Sequence, residues 1–303
     1  MSGYTEFNRT VKFEIVQIVD LLIYTSIYLS LAGVAMGYIS CMLHGIPFNW
    51  QVFAVMFLVT YSVYNIDRKA DEEEDSINHS QRYAFTKRYE KFLFSSSVVA
   101  YVIALGISAS FGLGAVLVAS IPLVSGLMYS FTWLPKSFKY RRLKEVPSGK
   151  NLVIALAWAL TPSLLPVQFY GSHVDMLSLV TILYFFTLVF INSAVFDMRD
   201  IEGDSISGVI TIPVLLGAQR TKYLLWFMNM LAGVVVLKIS FVHIPLSGVC
   251  ILAAGFIYAH CYIYLFDRDK WTNTLCDVMA DGQFIMLGLG LCILTTIFES
   301  FGM

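Results

Sequence analysis

The stretch FAVMFLVTYSVYNI-DRKADEEED, residues 53–75, decides the fold. Its first part, Phe53 to Ile66, is an apolar run of spanning character, and its second, Asp67 to Asp75, packs six carboxylates into nine residues. Asp67, Asp71 and Asp75 stand four apart, so a continuing helix puts them on one face. Like charges in that register repel and disfavour the helix. A cation has to compensate, and Mg²⁺ is the natural one: hard, oxygen-seeking and shared with phosphates.

Outward from that stretch, composition sets the class. The chain has 303 residues, 57% hydrophobic and 14% charged, with a mean hydropathy of +0.71. A soluble domain of this size cannot bury so many apolar residues, and several runs approach the ~20 residues that cross a bilayer. The net charge of −1 gives no overall field for nucleic acid. The five cysteines, Cys41, Cys250, Cys261, Cys276 and Cys292, lack metal-ligand spacing and read as small hydrophobes. The N-terminus has no basic start and no small-residue site close behind its first apolar run, so a cleaved signal peptide is not expected.

Hydropathy predicts nine spans in one domain over 1–303: about Ile15–Ile39, Phe48–Ile66, Phe92–Phe111, Leu113–Phe131, Leu152–Tyr170, Leu177–Phe196, Tyr223–Phe241, Leu246–Phe266 and Leu275–Phe298. The expected architecture is an all-α membrane bundle around a lateral or central cavity, with the site at the cytoplasmic face. Pro162 and Pro166 predict a kink in the fifth span. With a cytoplasmic N-terminus, the loops after even-numbered spans and the N-terminal segment hold 19 of the 20 Lys and Arg; Lys238 is the exception. That bias fixes the expected orientation: N-terminus cytoplasmic, C-terminus outside, in the cell membrane. The motif loops, about 67–88, 132–150 and 197–219, then share the cytoplasmic side.

The loop at 197–219 carries a second acidic pattern. Asp200 and Asp204 repeat the four-residue spacing, and Asp197 extends the same face by three. Two acidic helix ends on one membrane side can converge to hold a pair of Mg²⁺ ions, bound through a few carboxylates and substrate phosphates.

With these motifs in place, the chain resembles the UbiA-type intramembrane prenyltransferase superfamily. That family's N-x-x-x-D-x-x-x-D matches Asp67, Asp71 and Asp75, with Asp where relatives carry Asn. A second register, with Asp67 and Asp71 as the two aspartates, leaves Val63 at the Asn position; the first agrees better with the D-x-I-N-x-P-x-R continuation, met by Asp75, Ile77, Asn78 and Arg82, with Ser80 replacing Pro. The second motif, D-x-x-x-D, matches Asp200 and Asp204, followed by Gly208, Thr211, Pro213 and Gly217. A Y-x-x-x-K motif matches Tyr140 and Lys144, with Tyr129 a competing tyrosine. The R-P-x-P-x-G segment of quinone and ether-lipid members is missing, which bears on the acceptor.

The resemblance implies Mg²⁺-dependent transfer of a prenyl group from a prenyl diphosphate to a lipophilic acceptor at a membrane. It implies metal ligands at Asp67, Asp71, Asp75, Asp200 and Asp204, with Asp71, Asp75, Asp200, Asp204 and Lys144 as the reacting set. Arg82, Lys144 and Arg199 are expected to contact the diphosphate directly, Arg being suited to bidentate phosphate binding, and Tyr140 is expected among the substrate-binding residues. Asp197 and Asn192 point to the same site. Ionisable groups within spans invite a functional reading, which draws attention to Asp20, Asp277 and Asp281; Asp20 or Asp277 would bind or deprotonate the acceptor. Aromatic faces for an allylic cation are plentiful in the spans, at Tyr24, Tyr28, Tyr61, Tyr64, Trp158, Tyr184, Phe185, Phe186 and Phe190, and spacing does not choose among them. A membrane terpene cyclase, with no separate acceptor, is the alternative enzyme. A transporter predicts carboxylates near the bilayer midplane, whereas these gather at one interface.

Overall fold

Apolar runs with no water to serve their backbone must satisfy every N–H and C=O internally, which makes them helices. The computed structural model describes residues 17–70, 80–130, 146, 148–266 and 272–300, and no strand occurs among them. The helices, in order, are α1 (Gln17–Tyr24), α2 (Ile27–Leu43), α3 (Trp50–Ala70), α4 (Ser80–Arg88), α5 (Glu90–Ala109), α6 (Leu113–Ser130), α7 (Gly149–Phe169), α8 (Met176–Arg199), α9 (Ile201–Ser207), α10 (Ile212–Leu216), α11 (Ala218–His243) and α12 (Leu246–Leu265). A short turn, Thr272–Thr274, and a π-helical turn, Leu275–Ala280, then lead into α13 (Gln283–Ser300).

Five of these, α5, α7, α8, α11 and α12, are long and apolar enough to cross a membrane, and α1 with α2 make a sixth if the bent pair is one span. The pair is bent by 71°, where the sequence reads as one uninterrupted run. Ser26 at the bend takes a left-handed φ of 64°. Carbonyls at the bend are also met from α3, Ile23 O already accepting from the Ser26 N–H at 3.1 Å. Asn65 Nδ2 donates to the Thr25 carbonyl at 3.2 Å, and the Arg68 guanidinium donates to the carbonyls of Ile23 and Tyr24. Both donors sit on one face of α3. Pro162 and Pro166 do not end α7, which runs unbroken through both.

The helices close on themselves. α2 packs on α3, α3 on α5 and α6, α6 on α7, α7 on α8, α8 on α11, α11 on α12 and α12 on α13; α13 returns to α2. Glycine permits the tightest approach: a Cβ on Gly33 would stand 2.3 Å from Thr60 Oγ1, the small-residue packing that apolar helices use without a hydrophobic drive between them. Three buried hydroxyls bond their own helix four residues back: Ser30 to Ser26 O, Thr60 to Met56 O and Ser97 to Leu93 O. The outward faces carry exposed Val102, Phe227, Val234, Phe241 and Ile257, the pattern of a surface that meets lipid. Lys222 caps the end of α12 by donating to the carbonyls of Tyr264 and Phe266 at 3.2 and 2.8 Å.

Candidate functional site

The ring of helices encloses a cavity of ≈ 300 Å³. Its polar wall combines Asp67 and Arg68 of α3, Arg82 of α4, Lys150 of α7, Asn192, Ser193 and Arg199 of α8, and Asp200, Asp204 and Asp281. The apolar wall includes Met36, Pro122, Ala157, Trp158, Val189 and Phe284. Tyr64 stacks on Trp158 at a centroid distance of 5.7 Å, and both rings line the space.

The two acidic patterns therefore meet: Asp67 from the first, Asp200 and Asp204 from the second. The second is set by local geometry. α8 ends at Arg199, Asp200 is its C-cap, and the Asp204 N–H donates to the Asp200 carbonyl at 2.9 Å. The helical spacing thus survives the break, keeping both carboxylates on the cavity side. Gly208, with a left-handed φ of 74°, then closes α9, a conformation open to Gly without a Cβ penalty.

Ion pairs tie this end together. Arg199, only 8% exposed in its side chain, donates from Nε and Nη2 to Asp200 at 2.9 and 3.1 Å and from Nη1 to Asp277 at 2.8 Å. Its guanidinium also lies over the Phe196 ring. The guanidinium expected at a diphosphate is thus engaged with two carboxylates. Asp197, 1% exposed, does not line the cavity. It accepts from Asn151 Nδ2 at 2.8 Å and pairs with Lys150 Nζ at 3.4 Å, holding that lysine at the cavity wall. Burial raises the Asp204 carboxyl to about 7; Lys150 opposes the rise, and Asp197 and Asp200 add to it.

Asn192 lines the cavity, yet its Nδ2 donates to the Ala280 carbonyl at 2.7 Å. Asp20, on α1, is not among the lining residues. Asp71, Asp75, Tyr140 and Lys144 fall outside the described residues. Lys150 and Arg68 are cavity residues that the sequence reading did not assign to the site, and Asp281, noted there only as an ionisable group within a span, joins them. Lys150 had a legible signal: it stands in the first turn of a helix, where a cation opposes the helix dipole and needs a specific partner.

The donor set available to a metal is all oxygen, which fits a hard cation and not a thiolate or imidazole site. Among the described residues no three His, Cys, Asp or Glu side chains gather as a ready-made metal cage. Mg²⁺ uses only one or two carboxylates per ion and completes its shell with water and phosphate, so the arrangement fits it.

A model of the UbiA prenyltransferase family matches residues 23–287. A digeranylgeranylglyceryl phosphate synthase of Sulfurisphaera tokodaii is 23% identical over 222 residues, 70% of this chain and 73% of that protein. One of Methanosarcina mazei is 30% identical over 189 residues, 60% of this chain and 59% of that protein. Among solved structures, a UbiA homologue of Archaeoglobus fulgidus bound to GPP and Mg²⁺ superposes with a TM-score of 0.63 at 14% identity, covering 90% of this chain and 99% of its own; at that identity the likeness is one of fold.

Proposed function

The chain belongs to the UbiA prenyltransferase family, and from that premise we propose that it transfers a prenyl group from a prenyl diphosphate to the hydroxyl of a lipophilic acceptor, with Mg²⁺ at its two acidic motifs. The observation that carries this reading is the placement of Asp67, Asp200 and Asp204 on one polar wall of a cavity whose other wall is apolar. Asp71 and Asp75 join that set by their spacing, and Tyr140 and Lys144 by their motif. When bound, Mg²⁺ neutralises the leaving diphosphate.

The chain's own residues do the rest. Arg82 and Lys150 line the cavity as cations, and charge-assisted hydrogen bonds suit them to phosphate oxygens. Asp197 and Asn151 keep the lysine in place. The prenyl tail lies along Met36, Ala157, Val189 and Phe284, a water-poor surface. The Tyr64–Trp158 pair offers aromatic faces to positive charge developing at the allylic carbon. The product in the two relatives' names is a glyceryl phosphate carrying two geranylgeranyl groups, which supports a glyceryl-type hydroxyl as acceptor.

The topology we assign is nine spans with the N-terminus cytoplasmic and the C-terminus outside, in the cell membrane. It is supported by the distribution of 19 of 20 Lys and Arg. The test of the function is product analysis: detergent-purified chain, Mg²⁺, and geranyl, farnesyl or geranylgeranyl diphosphate, with and without extracted membrane lipid. Prenylated lipid is the expected product. A hydrocarbon or terpene alcohol formed equally with and without lipid moves the assignment to a cyclase, and no Mg²⁺-dependent consumption of any donor overturns it.

A further inference from the structure

The last helical segment opens on a π-turn, Leu275–Ala280. Such a turn is rare because its hydrogen-bond register is poor, and it concentrates at functional sites. Here three helices hold it. Tyr28 of α2 donates to the Val278 carbonyl at 2.9 Å, Tyr258 of α12 to the Met279 carbonyl at 3.1 Å, and Asn192 of α8 to the Ala280 carbonyl at 2.7 Å. Three successive carbonyls are met by three side chains from three directions. Gly282 makes this possible: a Cβ there would stand 2.1 Å from Tyr28 Oη and 2.3 Å from the Val278 carbonyl.

The turn delivers Asp281 to the cavity, with Phe284 three residues on beside it. No hydrogen bond or ion pair from another described residue reaches the Asp281 carboxylate. Asp277, one turn earlier, differs: it is bound to Arg199. A carboxylate within an apolar span is costly, and one without a partner more so. The groups whose charge it feels are Arg199, Arg82 and Arg68, which attract it, and Asp277, which repels it.

We propose that Asp281 receives the acceptor: its carboxylate accepts the hydrogen bond of the acceptor's attacking hydroxyl and takes that proton as the new ether bond forms. This rests on the transferase reading above. The bond between the prenyl C1 and the diphosphate oxygen breaks, and the electron pair leaves with diphosphate. The acceptor oxygen bonds to C1, and its proton passes to the Asp281 carboxylate, which returns it to solvent on product release. Tyr28, Tyr258 and Asn192 are positioning residues that aim the carboxylate through the turn.

The test uses the purified full chain with Mg²⁺, geranylgeranyl diphosphate, and a glyceryl phosphate mono-ether bearing one free hydroxyl. Ether product, prenyl alcohol and released diphosphate are measured together. Asp281→Asn preserves shape and removes the proton acceptor. Ether formation is expected to fall on the order of 100-fold or more, the scale of a lost general base. The donor KM is expected to stay within about twofold, and prenyl alcohol to replace ether among the products, because the base and not the donor site has changed. Asp281→Glu recovers part of the loss, and Tyr28→Phe shifts the alcohol-to-ether ratio in the same direction by less. Ether formation by Asp281→Asn at the parental rate overturns the proposal, as does a donor KM that rises in step with the lost rate. A parental chain that releases no diphosphate with Mg²⁺ overturns the transferase reading, and this inference with it.

Discussion

Arg199 is the side chain whose removal reports most on the site. Arg199→Ala deletes three charge-assisted hydrogen bonds, of 2.9 and 3.1 Å to Asp200 and 2.8 Å to Asp277. Each such bond is worth about 1.5–3 kcal/mol, and breaking a buried pair from one side costs about 3–5 kcal/mol because the orphaned charge stays behind. The two carboxylates are 18% and 25% exposed, so water takes up part of that demand, and about 3 kcal/mol is the loss we expect. The orphan at Asp200 is also a proposed metal ligand. Mg²⁺ at a hundredfold excess over its Kd returns about 2.7 kcal/mol to whatever state binds it. Thermal unfolding in detergent, with and without Mg²⁺, is the assay. The variant is expected to melt well below the parent without Mg²⁺ and close to it at saturation, with a larger Mg²⁺ increment than the parent, whose Asp200 already has a cation. A loss that Mg²⁺ leaves unchanged refutes the placement of Asp200 at the metal.

Three further outcomes follow from the same geometry. The Asp204 carboxyl, raised to about 7, holds a proton in the folded metal-free chain that the unfolded chain gives up near ~3.9; its stabilising contribution is complete below that value and lost as pH rises through about 7, and Mg²⁺ affinity, titrated calorimetrically, rises over the approach to pH 7 because the ligand must be deprotonated. Asp67→Asn restores the residue relatives carry and should keep turnover with prenyl diphosphate within about tenfold; complete inactivity favours the register that makes Asp67 itself a motif aspartate. Gly282→Ala forces a Cβ against Tyr28 Oη at 2.1 Å and a backbone carbonyl at 2.3 Å, so it should lower stability by about 1–3 kcal/mol, the cost of overpacking, visible as an earlier melting transition.

The placements legible in the sequence are those that follow from spacing along one stretch of chain. Asp200 and Asp204 are four apart on a nearly continuous helix, so their shared orientation was legible without any partner. Roles that depend on another helix were not. Arg199 reads as a phosphate contact until Asp277, 78 residues away, arrives to hold it. Asn192 reads as a substrate ligand until its amide is seen on a carbonyl of the last helical segment, 88 residues on. Asp20 shares the charge of the site residues but sits before a 71° bend that hydropathy cannot register, since Thr25 and Ser26 are unremarkable in a span. The π-turn leaves no mark in composition either: it shows as a carboxylate at Asp277 and another at Asp281, four apart, which an ordinary helix would have placed on one face. In the folded chain one meets an arginine and the other the cavity.

The joint between α1 and α2 has a mechanical meaning. A bend with bare carbonyls behaves as a hinge, because nothing but water resists its opening. This one is bolted to α3 by Asn65 and Arg68 at three successive carbonyls, Ile23, Tyr24 and Thr25. Opening it means breaking two bonds to a cation, each about 1.5–3 kcal/mol, beside the first acidic motif. That corner of the bundle is pinned to α3, so the joint holds its angle and does not swing.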